Sequence, residues 1–365
     1  MVGGGSGLLL SGPDGGGLTE LPAGSTAELI GGGGQVRARL GGATTPLTGA
    51  LTLRPLDSTG LVRVGGRDYR GQVLVMSAVD GLRAINIVSL EDYVAGVVNA
   101  EMGRRPASDS EAVRAQAVVS RTVGMRSLGR YRIRGYDLLS TIADQAYGGV
   151  GSESDLGWAA VRFTSGEVLA FGGAVIEAFF HSTCGGKTEA VDEVFSGPPQ
   201  PYLKSVSDRD PAGQAYCAIS PRFRWREEWT GDALGRTLAA NARLGAIDPE
   251  TSLRPSDLQI AARSMSGRAA ELALVAGGRV QQIRGQQIIR QVLRGSDGGW
   301  LRSSQFTLVV TKAGSRIVRL TADGGGAGHG VGMCQWGAVG RARAGFSYRD
   351  ILTGYFPATE IRRLF

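Results

Sequence analysis

The sequence is poor in the residues that most often build metal and nucleophile sites. Its 365 residues include three cysteines and two histidines. Cys184, Cys217 and Cys334 form no CxxC pair and lack the Cys/His spacing of structural zinc, so the pattern disfavours a metal-held framework. Three cysteines can form one disulfide, which leaves one thiol unpaired. We favour Cys184 with Cys217, because turn-rich sequence borders both, although other pairings stay open.

Long apolar runs are also absent. Crossing a bilayer takes roughly 18 apolar residues, and the leucine run at residues 8–10 is too short for the core of an export signal. We therefore expect no integral membrane segment. The chain opens on MVGGG without the basic stretch of an export signal, so the protein is either intracellular or has lost such a signal.

Lysine is scarce as well. It occurs at positions 187, 204 and 312 only, so arginine carries nearly all of the positive charge behind the formal net charge of +7. That charge weakly favours acidic polymers, but the arginines are scattered and no recognisable nucleic-acid module accompanies them. We interpret them as a solvated surface and expect no nucleic-acid partner.

The patterns that are present indicate an α+β fold in three parts. Residues 1–80 are glycine-rich with short β-branched runs, which predicts a β-rich N-terminal region of strands and hairpins. Residues 81–229 and 316–365 hold the motifs described below and are predicted to form one mixed domain with a substrate groove. Residues 230–315 separate those motifs, and we interpret them as a small inserted α/β subdomain.

Two predicted helices flank one glutamate. Ser89 with Asp92 fits a capped helix start, and Ser108 with Glu111 repeats the signal after residues 104–106. Glu101 then lies near the C-terminus of the first helix, where the negative end of the helix dipole should raise its pKa. A raised pKa suits a proton donor. The competing interpretation is a surface glutamate at a fraying helix end.

Each histidine stands in a compact glycine-containing motif, HSTCGGKTE at residues 181–189 and GHGVGMCQWGA at residues 328–338. A strand at residues 174–180 is predicted to deliver His181 at its end. A nucleophile pair of His181 with a neighbouring Ser or Cys is less favoured than a structural turn. Such a turn can present Lys187, Thr188 and Glu189 to a cleft. The loop around His329 fits an anion cradle or a tightly packed turn. Gln335 and the tryptophan after it suit sugar contacts.

Five ordered blocks together resemble the SpoIID/LytB family, the stage II sporulation protein D and amidase-enhancer proteins. The resemblance extends over residues 83–365. The blocks are residues 90–102 with 112–122, then 144–149, 181–189, 201–206, and 328–338 with 348–357.

The resemblance implies a peptidoglycan lytic transglycosylase that cleaves the MurNAc–GlcNAc bond of glycan strands lacking stem peptides. Glu101 matches the family's catalytic acid/base. The other residues that we expect to bind substrate or hold the groove are Arg121, Gln145, Tyr147, His181, Ser182, Lys187, His329 and Gln335. The substrate implies an extracytoplasmic location, in the periplasm or cell wall, after loss of an export signal.

Some family members bind zinc through cysteines and a histidine just before the Gln-x-Tyr-Gly segment. This chain has Leu139, Ala143 and Asp144 there, so we predict no metal and no other cofactor. The main alternative function is a non-catalytic wall-binding protein that enhances an N-acetylmuramoyl-L-alanine amidase, which would then be a partner. A thiol hydrolase using Cys184 or Cys334 is a third.

Overall fold

The computed structural model describes residues 1–12, 19–40, 43–47 and 50–365. Helices and strands in several sheets confirm the predicted α+β class. The chain divides into two compact units. The first unit comprises residues 1–107, 120–167 and 363–365, and the second comprises residues 108–119 and 168–362. These bounds differ from the three-part division expected from the motifs, which stays a prediction.

Two antiparallel sheets precede the first helix. Their strand orders are β6-β5-β4-β1-β8-β9 and β11-β10-β7-β2-β3. Leucine and valine alternate inward along these strands, as Leu8 and Leu10 do in β2, and form one buried core. The strands are β1 Val2–Gly3, β2 Leu8–Ser11, β3 Thr19–Leu21, β4 Thr26–Gly32, β5 Gln35–Leu40, β6 Ala43–Leu47, β7 Leu51–Pro55, β8 Val62–Val64, β9 Arg67–Tyr69, β10 Gln72–Ala78 and β11 Gly81–Ile87.

The residues that flank helix α1 (Leu90–Met102) determine where it begins and ends. The Ser89 hydroxyl accepts a hydrogen bond from the Asp92 N–H at 3.1 Å, which confirms the predicted cap. The helix stops at Gly103, whose φ of +69° favours glycine. Two further helices follow, α2 (Ser110–Arg126) and α3 (Asp155–Phe163). A 3-10 turn at Ala107–Asp109 moves the start of α2 two residues beyond the predicted Ser108.

The remaining elements alternate strands and short helices. The predicted strand at residues 174–180 is instead two short strands. The helices that follow residue 230 end at Ser252, and residues 255–263 then pair as an antiparallel strand. The strands are β12 Glu167–Phe171, β13 Ala174–Val175, β14 Phe180–His181, β15 Arg224–Thr230, β16 Pro255–Arg263, β17 Ala269–Ala276, β18 Arg279–Arg284, β19 Phe306–Ala313, β20 Arg316–Gly325, β21 Met333–Cys334 and β22 Glu360–Arg363. The helices are α4 Gly231–Ala240, α5 Ala242–Gly245, α6 Pro249–Ser252, α7 Gln286–Val292, α8 Gln335–Arg343 and α9 Tyr348–Tyr355.

The second unit has its own buried core beneath β15–β20 and the helices α4 and α7. Trp225, Trp229, Leu234 and Leu272 are among its members. A short parallel pair, β14 with β21, places Phe180 opposite Met333 and His181 opposite Cys334. This pairing brings together the two histidine motifs of the sequence. Among the described helices, none combines the length and the apolar character that crossing a bilayer requires.

Candidate functional site

Glu101 lies in the last turn of α1, as predicted, and is partly buried. Its Oε1 accepts a hydrogen bond from the backbone N–H of Ala146 at 2.6 Å. Within the described residues, its Oε2 makes no hydrogen bond to protein. One oxygen is therefore fixed while the other is available to carry a proton.

The pKa of Glu101 is raised above its ordinary value, in the predicted direction. Burial is the main cause, because removing a carboxyl group from water disfavours its charged form. The hydrogen bond from Ala146 opposes that effect by stabilising the carboxylate. The helix dipole gave the right direction from the sequence, whereas the structure attributes the shift to desolvation.

Gln145 and Tyr147 flank Ala146 and bind its loop to α1, α2 and β11. The buried Gln145 amide donates to the Tyr93 hydroxyl at 3.0 Å and to the carbonyl of Ser120 at 3.2 Å. The Tyr147 hydroxyl donates to the Asn86 side-chain oxygen at 2.6 Å. These contacts hold the loop that presents the Ala146 N–H to Glu101.

Arg121 is fully buried and belongs to the framework of the first unit. Its guanidinium donates to both carboxylate oxygens of Glu91, at 2.6 and 2.9 Å, and to the carbonyls of Val161 and Glu167. The Thr164 hydroxyl accepts a further bond at 3.4 Å. In this conformation the guanidinium is inaccessible to a ligand, so the geometry assigns Arg121 to holding α1, α2 and α3 together.

His181 and His329 lie side by side in the second unit, with ring centroids 5.5 Å apart. The His181 Nδ1 lies 3.1 Å from the carbonyl oxygen of Val331, which fits an Nδ1–H donor. Its Nε2 is buried and has no hydrogen-bond partner within the described residues, so it is a free acceptor. The His329 Nδ1 accepts from the Val331 N–H at 3.1 Å.

Both imidazoles are held neutral. Burial, followed by the nearby His329, keeps the pKa of His181 well below its ordinary value. Burial, followed by the positive charge of Arg290, lowers the pKa of His329 to about 4. A neutral His181 keeps Nε2 as a hydrogen-bond acceptor, whereas the charged imidazolium has no acceptor nitrogen.

The other predicted residues of the second unit are held by protein contacts. The partly buried Ser182 hydroxyl lies 3.3 Å from the Thr183 hydroxyl. Lys187 is partly exposed, and its ammonium donates to the carbonyl of Met265 at 2.9 Å. Gln335 begins α8, is buried, and donates to Gln116 at 3.3 Å. Lys187 and Ser182 are thus the more accessible of the three.

A buried polar network that the sequence did not predict lies next to Lys187. Glu189 is fully buried, and its Oε2 accepts hydrogen bonds from Ser266 at 2.7 Å, from Gln286 at 2.8 Å and from Ser264. The sequence had suggested that Glu189 faces a cleft together with Lys187. The partners of Oε2 lie more than 70 residues away in the chain, so no local pattern could reveal them.

The three cysteines converge, but not as the expected disulfide. Cys184, Cys217 and Cys334 are all buried free thiols. The Sγ atoms of Cys184 and Cys217 are 3.5 Å apart, whereas a disulfide needs ~2.05 Å. The favoured Cys184–Cys217 bond is therefore not formed in this structure. Asp208, which the sequence did not single out, lies against the same sulfurs.

Two family models match parts of the chain. A model described as stage II sporulation protein covers residues 78–171, the segment that contains Glu101, Arg121, Gln145 and Tyr147. A model described as a domain of unknown function covers residues 214–332. The predicted insertion at residues 230–315 lies within that second match.

Three relatives match between 73% and 82% of this chain. Stage II sporulation protein D of Bacillus amyloliquefaciens is 30% identical over 304 residues, which cover 76% of this chain and 75% of that protein. The amidase enhancer of Bacillus subtilis is 31% identical over 297 residues, 73% of this chain but only 40% of that protein. An uncharacterised protein of Brachyspira hyodysenteriae is 30% identical over 302 residues, 82% of this chain and 73% of that protein.

Proposed function

The chain belongs to the stage II sporulation protein D family, and from that premise we propose that it is a peptidoglycan lytic transglycosylase. The substrate would be glycan strands lacking stem peptides, cleaved at the MurNAc–GlcNAc bond. Action on this substrate would require a location outside the cytoplasm, in the periplasm or cell wall.

A single carboxyl group is sufficient for this reaction. Ordinary glycosidases use two carboxylates, one to protonate the leaving oxygen and one to activate water or attack the sugar. In a lytic transglycosylase the C6 hydroxyl of the muramic acid is the nucleophile, so no second carboxylate and no water is required. One glutamate can act first as the acid and then as the base.

Glu101 carries out both proton transfers of the proposed reaction. Its protonated Oε2 gives a proton to the glycosidic oxygen as the bond from that oxygen to C1 of MurNAc breaks, and the GlcNAc end leaves as an alcohol. The resulting carboxylate then accepts the proton of the C6 hydroxyl as the C6 oxygen bonds to C1. The product carries a 1,6-anhydro ring, and Glu101 is returned to its acid form.

The state of Glu101 is the observation that supports this proposal. Partial burial raises its pKa, so its acid form persists to higher pH than that of an exposed glutamate. The Ala146 N–H occupies Oε1, which favours the proton on Oε2. The fold thus orients the carboxyl group, and Oε2 is the oxygen that the hydrogen bond to Oε1 leaves to carry a proton.

The remaining predicted residues are proposed in two roles. Arg121, Gln145 and Tyr147 position α1 and the loop that bonds to Glu101. Ser182, Lys187 and His329 are partly exposed and are proposed as the polar groups of the second unit that contact glycan, and the buried His181 and Gln335 are proposed to hold the groove.

The test is to incubate Glu101→Gln with stem-peptide-free glycan strands and to quantify anhydro-muramyl products by mass spectrometry. Glutamine keeps the shape and the acceptor for the Ala146 N–H but carries no transferable proton, so we expect a rate loss of about 10² to 10⁴. Glu177→Gln, at an exposed glutamate, is the matched control and should retain activity. A folded Glu101→Gln protein with nearly full activity would refute the assignment.

A second candidate is the non-catalytic enhancer, favoured by the name of the Bacillus subtilis relative. In that case wild type alone releases no anhydro products. Wild type and Glu101→Gln would then stimulate an N-acetylmuramoyl-L-alanine amidase equally on intact peptidoglycan. The thiol-hydrolase alternative requires an accessible nucleophile, whereas Cys184 and Cys334 are completely buried.

A further inference from the structure

All three cysteines of the chain meet at one buried point in the second unit. The sulfurs of Cys184, Cys217 and Cys334 and a carboxylate oxygen of Asp208 all lie within 4.8 Å of one another, and each of the four residues is fully buried. Cys184 Sγ is 3.2 Å from Asp208 Oδ2 and 3.5 Å from Cys217 Sγ. Three sulfurs and one carboxylate oxygen form the ligand number and the ligand types of a structural zinc site.

Backbone N–H groups are directed at two of these sulfurs. Cys334 Sγ accepts from the Cys184 N–H at 3.1 Å and from the Gly337 N–H at 3.2 Å. Cys184 Sγ accepts from the Gly186 N–H at 3.3 Å, and the φ of +109° at Gly186 favours glycine there. Hydrogen bonds that end on sulfur stabilise thiolates, the form that binds metal.

The carboxylate of Asp208 is oriented by its second oxygen. Asp208 Oδ1 accepts from the Tyr355 hydroxyl at 2.5 Å and from Arg341 Nε at 3.3 Å. These partners leave Oδ2 directed at the thiols as a single-oxygen ligand. Such outer hydrogen bonds are the usual support of metal-bound carboxylates.

Charge and spacing also fit a divalent cation. A tetrahedral zinc with Zn–S bonds of ~2.3 Å holds its sulfurs ~3.8 Å apart, close to the observed 3.5 Å between Cys184 and Cys217. Zinc cancels two of the negative charges of three thiolates and one carboxylate. Arg341 and the N-terminus of α8, whose cap residue is Cys334, face the remaining charge.

We propose that Cys184, Cys217, Cys334 and Asp208 bind one structural zinc ion. The ion would join the segment that follows β14 to β21 and the start of α8, so it would fix the spacing of the two histidine motifs. This site differs from the no-metal expectation drawn from the sequence. That expectation used local spacing, whereas these ligands are up to 150 residues apart.

The test begins with the whole chain purified under reducing conditions and passed over a chelating resin, followed by metal analysis. We expect about one zinc per chain, three thiols that react only after denaturation, and no disulfide. Replacing zinc by Co²⁺ should give the thiolate charge-transfer and ligand-field bands of tetrahedral cobalt. Because this measurement uses wild type, it does not depend on variants that fold poorly.

Variants then identify the ligands. Cys217→Ser and Asp208→Ala should lower the zinc content or weaken zinc binding by about tenfold or more. Met333→Leu changes a fully buried residue next to Cys334 without removing a ligand, so it should retain zinc and serves as the packing control.

Three results would overturn the site. They are three free thiols with no bound metal, a Cys184–Cys217 disulfide in protein purified without reductant, or a Co²⁺ complex without charge-transfer bands. None of these measurements involves glycan cleavage, so they are independent of the outcome for Glu101.

Discussion

At the residue scale, the proposed chemistry depends on one carboxyl group whose surroundings raise its pKa. Glu101 has the position that the sequence predicted, and the structure adds burial and the hydrogen bond from Ala146. Burial raises the pKa of Glu101 and the hydrogen bond lowers it. Desolvation is the larger, so the net shift favours the acid form.

The pH dependence of the reaction follows from that shift. A general acid must be protonated before the bond breaks, so kcat/KM should fall as the pH rises through the raised pKa of Glu101, by about tenfold per pH unit. The measurement is the initial rate of anhydro-product release across the acidic and neutral range. A rate that increases with pH through that range would contradict the acid role.

Protein stability gives a second readout of the same group. The folded-state pKa of Glu101 lies above the unfolded value of about 4.3, so the folded state binds the proton more tightly. Its stabilising contribution is present below the unfolded pKa and is lost as the pH rises through the folded pKa. The free energy of unfolding of wild type, relative to Glu101→Gln, should therefore decrease with rising pH over that window.

At the element scale, the orientation of Glu101 depends on the loop that holds Ala146 and Gly148, because this loop packs against the middle of α1. Gly96 lies within α1, and its carbonyl accepts from the Gly148 N–H at 3.2 Å. A Cβ at Gly96 would approach the Tyr147 ring to 2.5 Å. The same loop supplies the Ala146 N–H, so the missing side chain at Gly96 permits the contact that orients Glu101.

We therefore expect Gly96→Ala to lower both stability and activity. Helix propensity alone favours alanine by about 1 kcal/mol, but displacing the Tyr147 ring should cost about 1–3 kcal/mol. Thermal unfolding and the rate of product release measure the two effects. Gly124→Ala in α2 is the control, because its nearest atom is the flexible end of Leu90 at 3.1 Å. Equal effects of the two substitutions would contradict this explanation.

At the scale of the whole molecule, each compact unit contains an apolar core and also one buried charged residue that hydrogen-bonds to several segments. We call such a residue a hub. In the first unit Arg121, on α2, joins α1 and α3 through its hydrogen bonds to Glu91 and Val161, and it also bonds to the carbonyl of Glu167. In the second unit Glu189 joins residues 264–286 to the motif of His181. Buried hubs are sensitive to partial loss, because a remaining charge is left without its partner.

Arg121→Lys should accordingly lower the free energy of unfolding by at least about 2 kcal/mol, since lysine cannot reproduce the planar fork of the guanidinium. Urea unfolding followed by circular dichroism measures the loss. Arg39→Lys is the control, because Arg39 and Glu28 form an exposed ion pair at 3.1 Å and should contribute less than about 1 kcal/mol. A loss at Arg121 no larger than that at Arg39 would show that Arg121 is not a hub.

The sequence by itself determined the features that depend on a few neighbouring residues. The sequence predicted the Ser89 cap of α1, the position of Glu101 in the last turn of that helix and short strands within residues 1–80. These could be predicted because capping and periodicity act over two to four residues. The five motif blocks also pointed to the family, because each block is a short run of neighbouring residues that can be read directly.

Only the tertiary structure decided which distant groups meet. The Ala146 N–H is 45 residues from Glu101, Arg121 is 30 from Glu91, and Cys334 is 150 from Cys184. From the sequence, Arg121 was expected to bind substrate or hold the groove, and a Cys184–Cys217 disulfide was favoured. The fold buries the Arg121 guanidinium, and it adds Cys334 and Asp208 to the other two cysteines. Contacts between distant residues produce no periodic pattern in a single sequence. They arise from packing between elements and not from the local geometry of the backbone.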